Sequence, residues 1–168
     1  MYRECGINAT LWSDAPPSYL GPVAQWDVEW LTVVEDGKRT IPALKFLVQQ
    51  EPNIRAVLLG IVDSVRTFGP DRWKDANSHK PMYGACSDLH EARDRYDQML
   101  YRLFLKWQRQ EQRVVVLTGA SKPNNTTLPD SFYDDLAKMA ATITTNPSPF
   151  ATTDDVTRLL LDLTPPPK

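Results

Sequence analysis

The chain reads as an α+β fold, a small antiparallel β-sheet packed against helices. Three observations predict it. Short segments of alternating or β-branched character cluster in the middle of the chain. Two stretches before them carry apolar residues at helical spacing. The elements come in blocks (strand, helix, helix, hairpin, strand, helix) and not in strict βαβ alternation. The 168 residues suit one domain with tails, and an apolar share of 42% is enough to build a buried core.

Residues 1–22 mix Pro, Gly, Ser and Asp with scattered aromatics and read as an irregular arm. A domain over 23–145 and a linker with a C-terminal amphipathic helix and tail over 146–168 complete the expected division. In "WDVEWLTVV", Trp26, Val28 and Trp30 alternate with Asp27 and Glu29, as in a half-buried strand. Asp36-Gly37 then supplies a turn. "TIPALKFLVQQ" places Thr40 as an N-cap and Pro42 in the first turn of a short helix. After a cap at Asn53, the residues Ile54, Val57, Leu58, Ile61, Val62, Val65 and Phe68 recur at three- and four-residue steps, and Gly69-Pro70 ends that helix. Residues 71–87 read as a long loop.

Three strands follow, over 88–96, 100–107 and 113–121. Asp97-Gln98 joins the first two as a hairpin, and "QRQEQ" joins the second pair. "RVVVLTGAS" is β-branched and apolar enough for a central strand. Asp130 caps a helix with Phe132, Leu136, Met139 and Ile143 on one stripe. Val156, Leu159, Leu160 and Leu163 mark a last helix.

The net charge is −2 and the pI is about 5.7, so any phosphate binding must come from a local patch. Cys5 and Cys86 form no C-x-x-C pair, and no His/Cys cluster has metal-ligand spacing. No metal and no cofactor is expected. No apolar run suits a signal peptide, and none approaches the ~20 residues of a membrane span, so a cytoplasmic protein with no membrane partner is expected.

One stretch resists the bland reading. "LHEARDRYDQMLYRLFLKW" puts Arg93, Arg95, Arg102 and Lys106 on a hairpin, where charges must reach water, a counter-charge or a ligand. Here the sequence resembles the RelE/HigB-like toxins of bacterial toxin–antitoxin pairs, in their phage-derived branch. The resemblance spans roughly residues 26–140. "WDVEWLTVVEDGKRTIPALKFL" looks like that family's first strand, Asp-Gly turn and Phe-Leu helix. "KPMYGACSDLHEARD" matches its K-P…G…L-W-E-L-R stretch at Lys80, Leu89, Glu91 and Arg93, with His90 in the aromatic position. "LYRLFLKW" matches its Y-R strand at Tyr101 and Arg102. The run K-K-T-x-K-T-P is depleted: Lys122 remains, while Pro123, Asn124, Asn125 and Thr126 replace the rest.

The resemblance implies a metal-independent endoribonuclease that cleaves mRNA, in association with the ribosome, and that a cognate helix-turn-helix antitoxin neutralises. Such a site needs a base for the ribose 2′-hydroxyl proton, cations for charge growing on the phosphoryl oxygens, and an acid for the leaving 5′-oxygen. Arg102 suits the phosphoryl clamp, because guanidinium meets phosphate bidentately. It lies on the opposite strand face from Tyr101, Leu103, Leu105 and Trp107, which look core-facing. Arg93 faces it across the hairpin, with Arg95 on the same side. Lys80 and Lys122 flank the cleft, and bases stack on Tyr83 or Tyr96. The base is Glu91, which shares the arginine side, His90 on the opposite face, or His79. Each of these residues also has a plain reading: Arg93 with Glu91, and Arg95 with Asp94 and Asp97, as surface ion pairs, and the histidines as structural or solvated groups. The competing function is a non-catalytic relative that binds a protein partner.

Overall fold

The expected first strand divides in two. In the computed structural model, which describes residues 25–72, 79–145 and 150–163, β1 (Asp27–Trp30) enters the main sheet and the chain then leaves it. β2 (Val33–Glu35) and β3 (Lys38–Thr40) make a separate two-stranded ribbon around Asp36-Gly37. Both turn residues have positive φ, 50° and 73°, the twist a two-residue hairpin requires. The irregular arm expected over 1–22 lies outside the described residues.

α1 (Pro42–Val48) starts with Pro42 in its first turn, as expected, but its cap is Ile41, because Thr40 is taken up by β3. α2 (Pro52–Arg72) begins one residue before the expected Asn53 cap, on a proline that needs no amide partner there. Gly69 leaves helical geometry (φ 60°, ψ 178°), so the regular helix stops there, as expected, and a short second turn continues across the kink to Arg72. A Cβ at Gly69 would sit 2.3 Å from the Trp26 indole nitrogen, so the kink lets Trp26 pack there.

The loop expected over 71–87 contains β4 (His79–Pro81), whose proline fits an edge strand. β5 (Leu89–Tyr96) and β6 (Met99–Gln108) form the expected hairpin. Asp97 and Gln98 both have positive φ, 44° and 63°. β7 (Arg113–Pro123), α3 (Asp130–Thr145), β8 (Ala151–Thr152) and α4 (Thr153–Leu163) follow. Thr152 and Asp155 cap α4 reciprocally: the Asp155 amide donates to Thr152 Oγ1 (3.1 Å) and the Thr152 amide to Asp155 Oδ2 (3.2 Å).

The α+β class holds, but the six-stranded sheet, ordered β4-β5-β6-β7-β1-β8, is mixed where an antiparallel one was expected. β1 pairs in parallel with β7 and antiparallel with β8. The reason is connectivity. No hairpin links β1 to β7; the chain passes through two α-helices and five strands before it returns, so a parallel register is open to it.

Helices cover both sheet faces. Under α1, α2 and α4 lie Val28, Trp30, Leu103, Leu105, Val114 and Val116. Under α3 lie Leu89, Phe104, Val115 and Leu117. Each fully buried side chain of this size contributes about 1.5–3 kcal/mol. Phe104 pairs with Thr118 and Leu105 with Val116, which leaves Leu117 as an extra residue in β7. This bulge reverses the alternation along the rest of β7, and so puts Ala120 and Lys122 on the α3 side. Among the described residues, no helix is long and apolar enough to cross a membrane.

Candidate phosphate-binding pocket

The hairpin register sets Arg93 directly opposite Arg102. Two guanidinium groups placed this way repel unless an anion lies between them. Glu91, two residues earlier and on the same face, is that anion. Arg102 Nη1 donates to Glu91 Oε2 at 3.0 Å, and Arg93 Nη1 reaches Glu91 Oε1 at 3.5 Å. Glu91 is 6% and Arg102 8% exposed, so this is a buried ion pair with a half-buried third member. Arg102 Nε is buried and has no hydrogen-bond partner, an unsatisfied donor inside the cluster.

Lys80 on β4 pairs with Glu91 across the strands, which brings it to the same face. Together Lys80, Tyr83, Cys86, Glu91, Arg102 and Tyr133 surround a pocket of about 320 Å³. Tyr83 stands at its mouth, 75% exposed, with the Lys80 ammonium 5.7 Å from its ring centre. Lys122 reaches this region through the β7 bulge. Partial desolvation pushes its pKa down; Arg102 and Arg95 push the same way and Glu91 opposes them. Its ammonium donates to the Thr126 carbonyl, so the depleted loop folds back on its remaining lysine.

The structure therefore gathers Lys80, Tyr83, Glu91 and Arg102 at one pocket, with Arg93 bound to the same carboxylate and Lys122 within electrostatic reach. Arg95 and Tyr96 sit at the exposed hairpin end and do not line the pocket. Among the described residues, Arg95 forms no ion pair with Asp94 or Asp97; the strand carries it toward Lys122 instead. His90 points to the opposite face, edge-on to Trp107 with ring centres 6.0 Å apart. Burial lowers its pKa, Arg109 adds to that and Asp88 opposes it. This position takes His90 away from the pocket and leaves Glu91 as the base candidate inside it. His79 pairs with Ala92, but its side chain lies outside what is described.

Lys106, the last cation of the charged hairpin, has a structural partner set. It meets Asp88 at 3.3 Å and donates to the Ala140 carbonyl of α3 at 3.0 Å. Two pocket residues had no signal in the sequence. Tyr133 arrives on α3 beside the apolar stripe of that helix. Cys86, a free thiol in a short 3-10 turn (Gly84–Cys86), donates to the Tyr133 carbonyl at 3.7 Å. Burial raises its pKa, with Asp88 and Asp134 adding to the shift. Among the described residues, no group of three or more His, Cys, Asp or Glu side chains could hold a metal ion. Compared with protein-family models, with curated proteins and with solved structures, the chain shows no match.

Proposed function

We propose that the chain is an RNA-cleaving toxin of the RelE/HigB type, which takes a phosphodiester at the Lys80–Arg102 pocket and is held in check by a protein antitoxin. The observation that carries this reading is a concentration of charge. Five cations (Lys80, Arg93, Arg95, Arg102 and Lys122) share one sheet face with a single buried carboxylate, Glu91, in a chain whose net charge is −2. Such a patch attracts phosphate against the average field of the protein. The motif resemblance at Lys80, Glu91, Arg93 and Arg102 supplies the RNA chemistry.

The reaction would run as follows. The ribose 2′-oxygen attacks the adjacent phosphorus, its proton passes to Glu91, and the bond to the 5′-oxygen breaks. The products are a 2′,3′-cyclic phosphate and a 5′-hydroxyl. Arg102, with its unused Nε donor, and Lys80 stabilise the charge on the phosphoryl oxygens. Lys80, Tyr83 and Tyr133 bring proton-bearing groups to the same pocket, from which the leaving oxygen can be protonated. Tyr83, exposed at the mouth, offers a face for a stacked base.

One observation favours the competing reading, a non-catalytic relative that binds a partner. Arg102 already has its counter-charge in Glu91, and the loop from Lys122 to Thr126 holds one cation. Induced expression without a partner, with growth and mRNA 5′ ends followed, separates the two. The wild type is expected to slow growth and to generate new mRNA ends. Arg102→Lys should lose most of that activity, since an ammonium keeps the charge without the fork; removal of one such donor costs about 10²–10³ in rate. Lys80→Ala, at an exposed side chain, gives a second test that does not endanger folding. Intact mRNA and normal growth with folded wild type in the presence of ribosomes would leave the binding module as the reading.

A further inference from the structure

A second concavity, of about 690 Å³, lies on the other side of the molecule between α1, β3 and α4. We propose that it binds an amphiphilic carboxylate, an alkyl or aryl chain of medium length ending in an acid group. Its floor is apolar: Ile41, Leu44 and Val48 from the α1 side, Leu159 and Leu163 from α4. Leu159 and Leu163 are 36% and 55% exposed, although they belong to the apolar stripe of their helix. Covering such a surface stabilises by about 25 cal/mol per Å². The volume lies within the range of about 300–1,000 Å³ typical of small-molecule sites.

The rim has the opposite character. Arg39, Lys45 and Arg158 stand there against Asp155, three cations to one carboxylate, in a chain whose overall charge is negative. Lys45 is paired with Glu35 and Arg158 with Asp155. Arg39 forms no ion pair among the described residues, so its guanidinium is the group open to a ligand acid, which it can hold bidentately. Asp155, held by Thr152 and Arg158, offsets Arg158 and not Arg39, which keeps its charge for a ligand.

Other occupants fit less well. Fourteen residues line the groove, fewer than the roughly 20–30 a stable protein interface uses on each side. A second copy docking by this same face would set one cationic rim against another. A small anion with an apolar chain meets both the floor and the rim.

The test is a calorimetric titration of the full chain with sodium decanoate below its micelle threshold, with decanol and a decyltrimethylammonium salt as probes of equal chain length. Saturable one-to-one binding of decanoate, tighter than either control, is expected. Arg39→Ala should weaken it about tenfold, the order of a lost charge-assisted hydrogen bond. Leu163→Glu, at an exposed position, should abolish it while thermal melts stay unchanged. Lys80→Ala, in the RNA pocket, should leave decanoate affinity as it is, which separates this site from the proposed nuclease. The proposal falls if decanoate does not saturate, if decanol binds equally well, or if Arg39→Ala changes nothing. It falls equally if light scattering shows a dimer that Leu163→Glu dissociates, since the groove would then belong to a second copy.

Discussion

Arg102 and Leu103 are neighbours in β6 and point to opposite faces of one sheet, yet they answer to different physics. Leu103 lies fully buried among Leu105, Val116 and Trp30, under helices. Arg102 is nearly as buried, but its surroundings are Glu91, Lys80 and a pocket. α3 packs on β7, on the turn at Gly84–Cys86 and over Leu89 and Phe104, and the part of that face around Glu91, Arg93 and Arg102 is left to the ionic cluster. The difference teaches where a strand can carry charge. An apolar face under helices holds by burial alone, whereas charges lie where helix cover stops and where counter-charge and ligand can reach them.

The largest effect is expected from breaking the ion pair on one side only. Arg102→Ala should destabilise by about 3–5 kcal/mol, because the buried Glu91 carboxylate would keep only Arg93, at 3.5 Å. Replacing both partners, Arg102→Met with Glu91→Leu, should restore most of that loss, since well-packed apolar pairs are often neutral or better. Denaturant unfolding of both variants checks this. If the double variant is as unstable as the single one, the cluster supports the fold as well as the site. The contrast also explains why Arg102→Lys and Lys80→Ala are the sounder activity probes.

On the apolar face, Leu103→Ala should cost about 2–5 kcal/mol through lost burial and the cavity left behind, with no rescue by a charged neighbour. The same measurement on Gly119→Ala tests close packing. A Cβ there would lie 2.0 Å from the Phe46 ring, which is buried, so ring and strand must both shift, at about 1–3 kcal/mol. A smaller loss, about 1 kcal/mol, is expected from Thr152→Ala, which removes the α4 cap.

Much of this was legible in the sequence because it depends on local periodicity. The hairpin over 89–108 follows from alternation and from two turn residues able to take positive φ, and α2 and α4 follow from their stripes. Glu91, Arg93 and Arg102 could be placed on one face by counting residues. Other features depend on contacts distant in sequence and could not be read. The parallel seat of β1 beside β7 is decided by which strand edge is free, and the bulge falls at Leu117, two residues before the one glycine of that strand, Gly119, so the sequence does not place it. Tyr133 enters the pocket only because α3 docks where it does. β4 and β8, three and two residues long, are strands by pairing alone.

The smallest effect sharpens the comparison from the side of His90, a titratable ring beside Trp107 on the face that α1, α2 and α4 cover. Burial among apolar groups, with Arg109 nearby, lowers its pKa below the ordinary 6.5. The folded state therefore prefers the neutral ring, while the unfolded chain takes up a proton at about pH 6.5. Between the folded and the unfolded pKa the unfolded state holds more protons, so stability rises with pH across that window. The contribution is fully present above pH 6.5 and is lost as pH falls toward the folded pKa. Thermal melts from pH 7.5 down to 5.5 should show a decline in wild type that His90→Phe reduces. The other histidine, His79, is common to both proteins, and carboxylates that titrate at lower pH affect both alike, so the difference between the two curves isolates His90. Parallel curves would mean that His90 titrates alike in both states, and that Trp107 and its neighbours leave the ring as wet as in the unfolded chain.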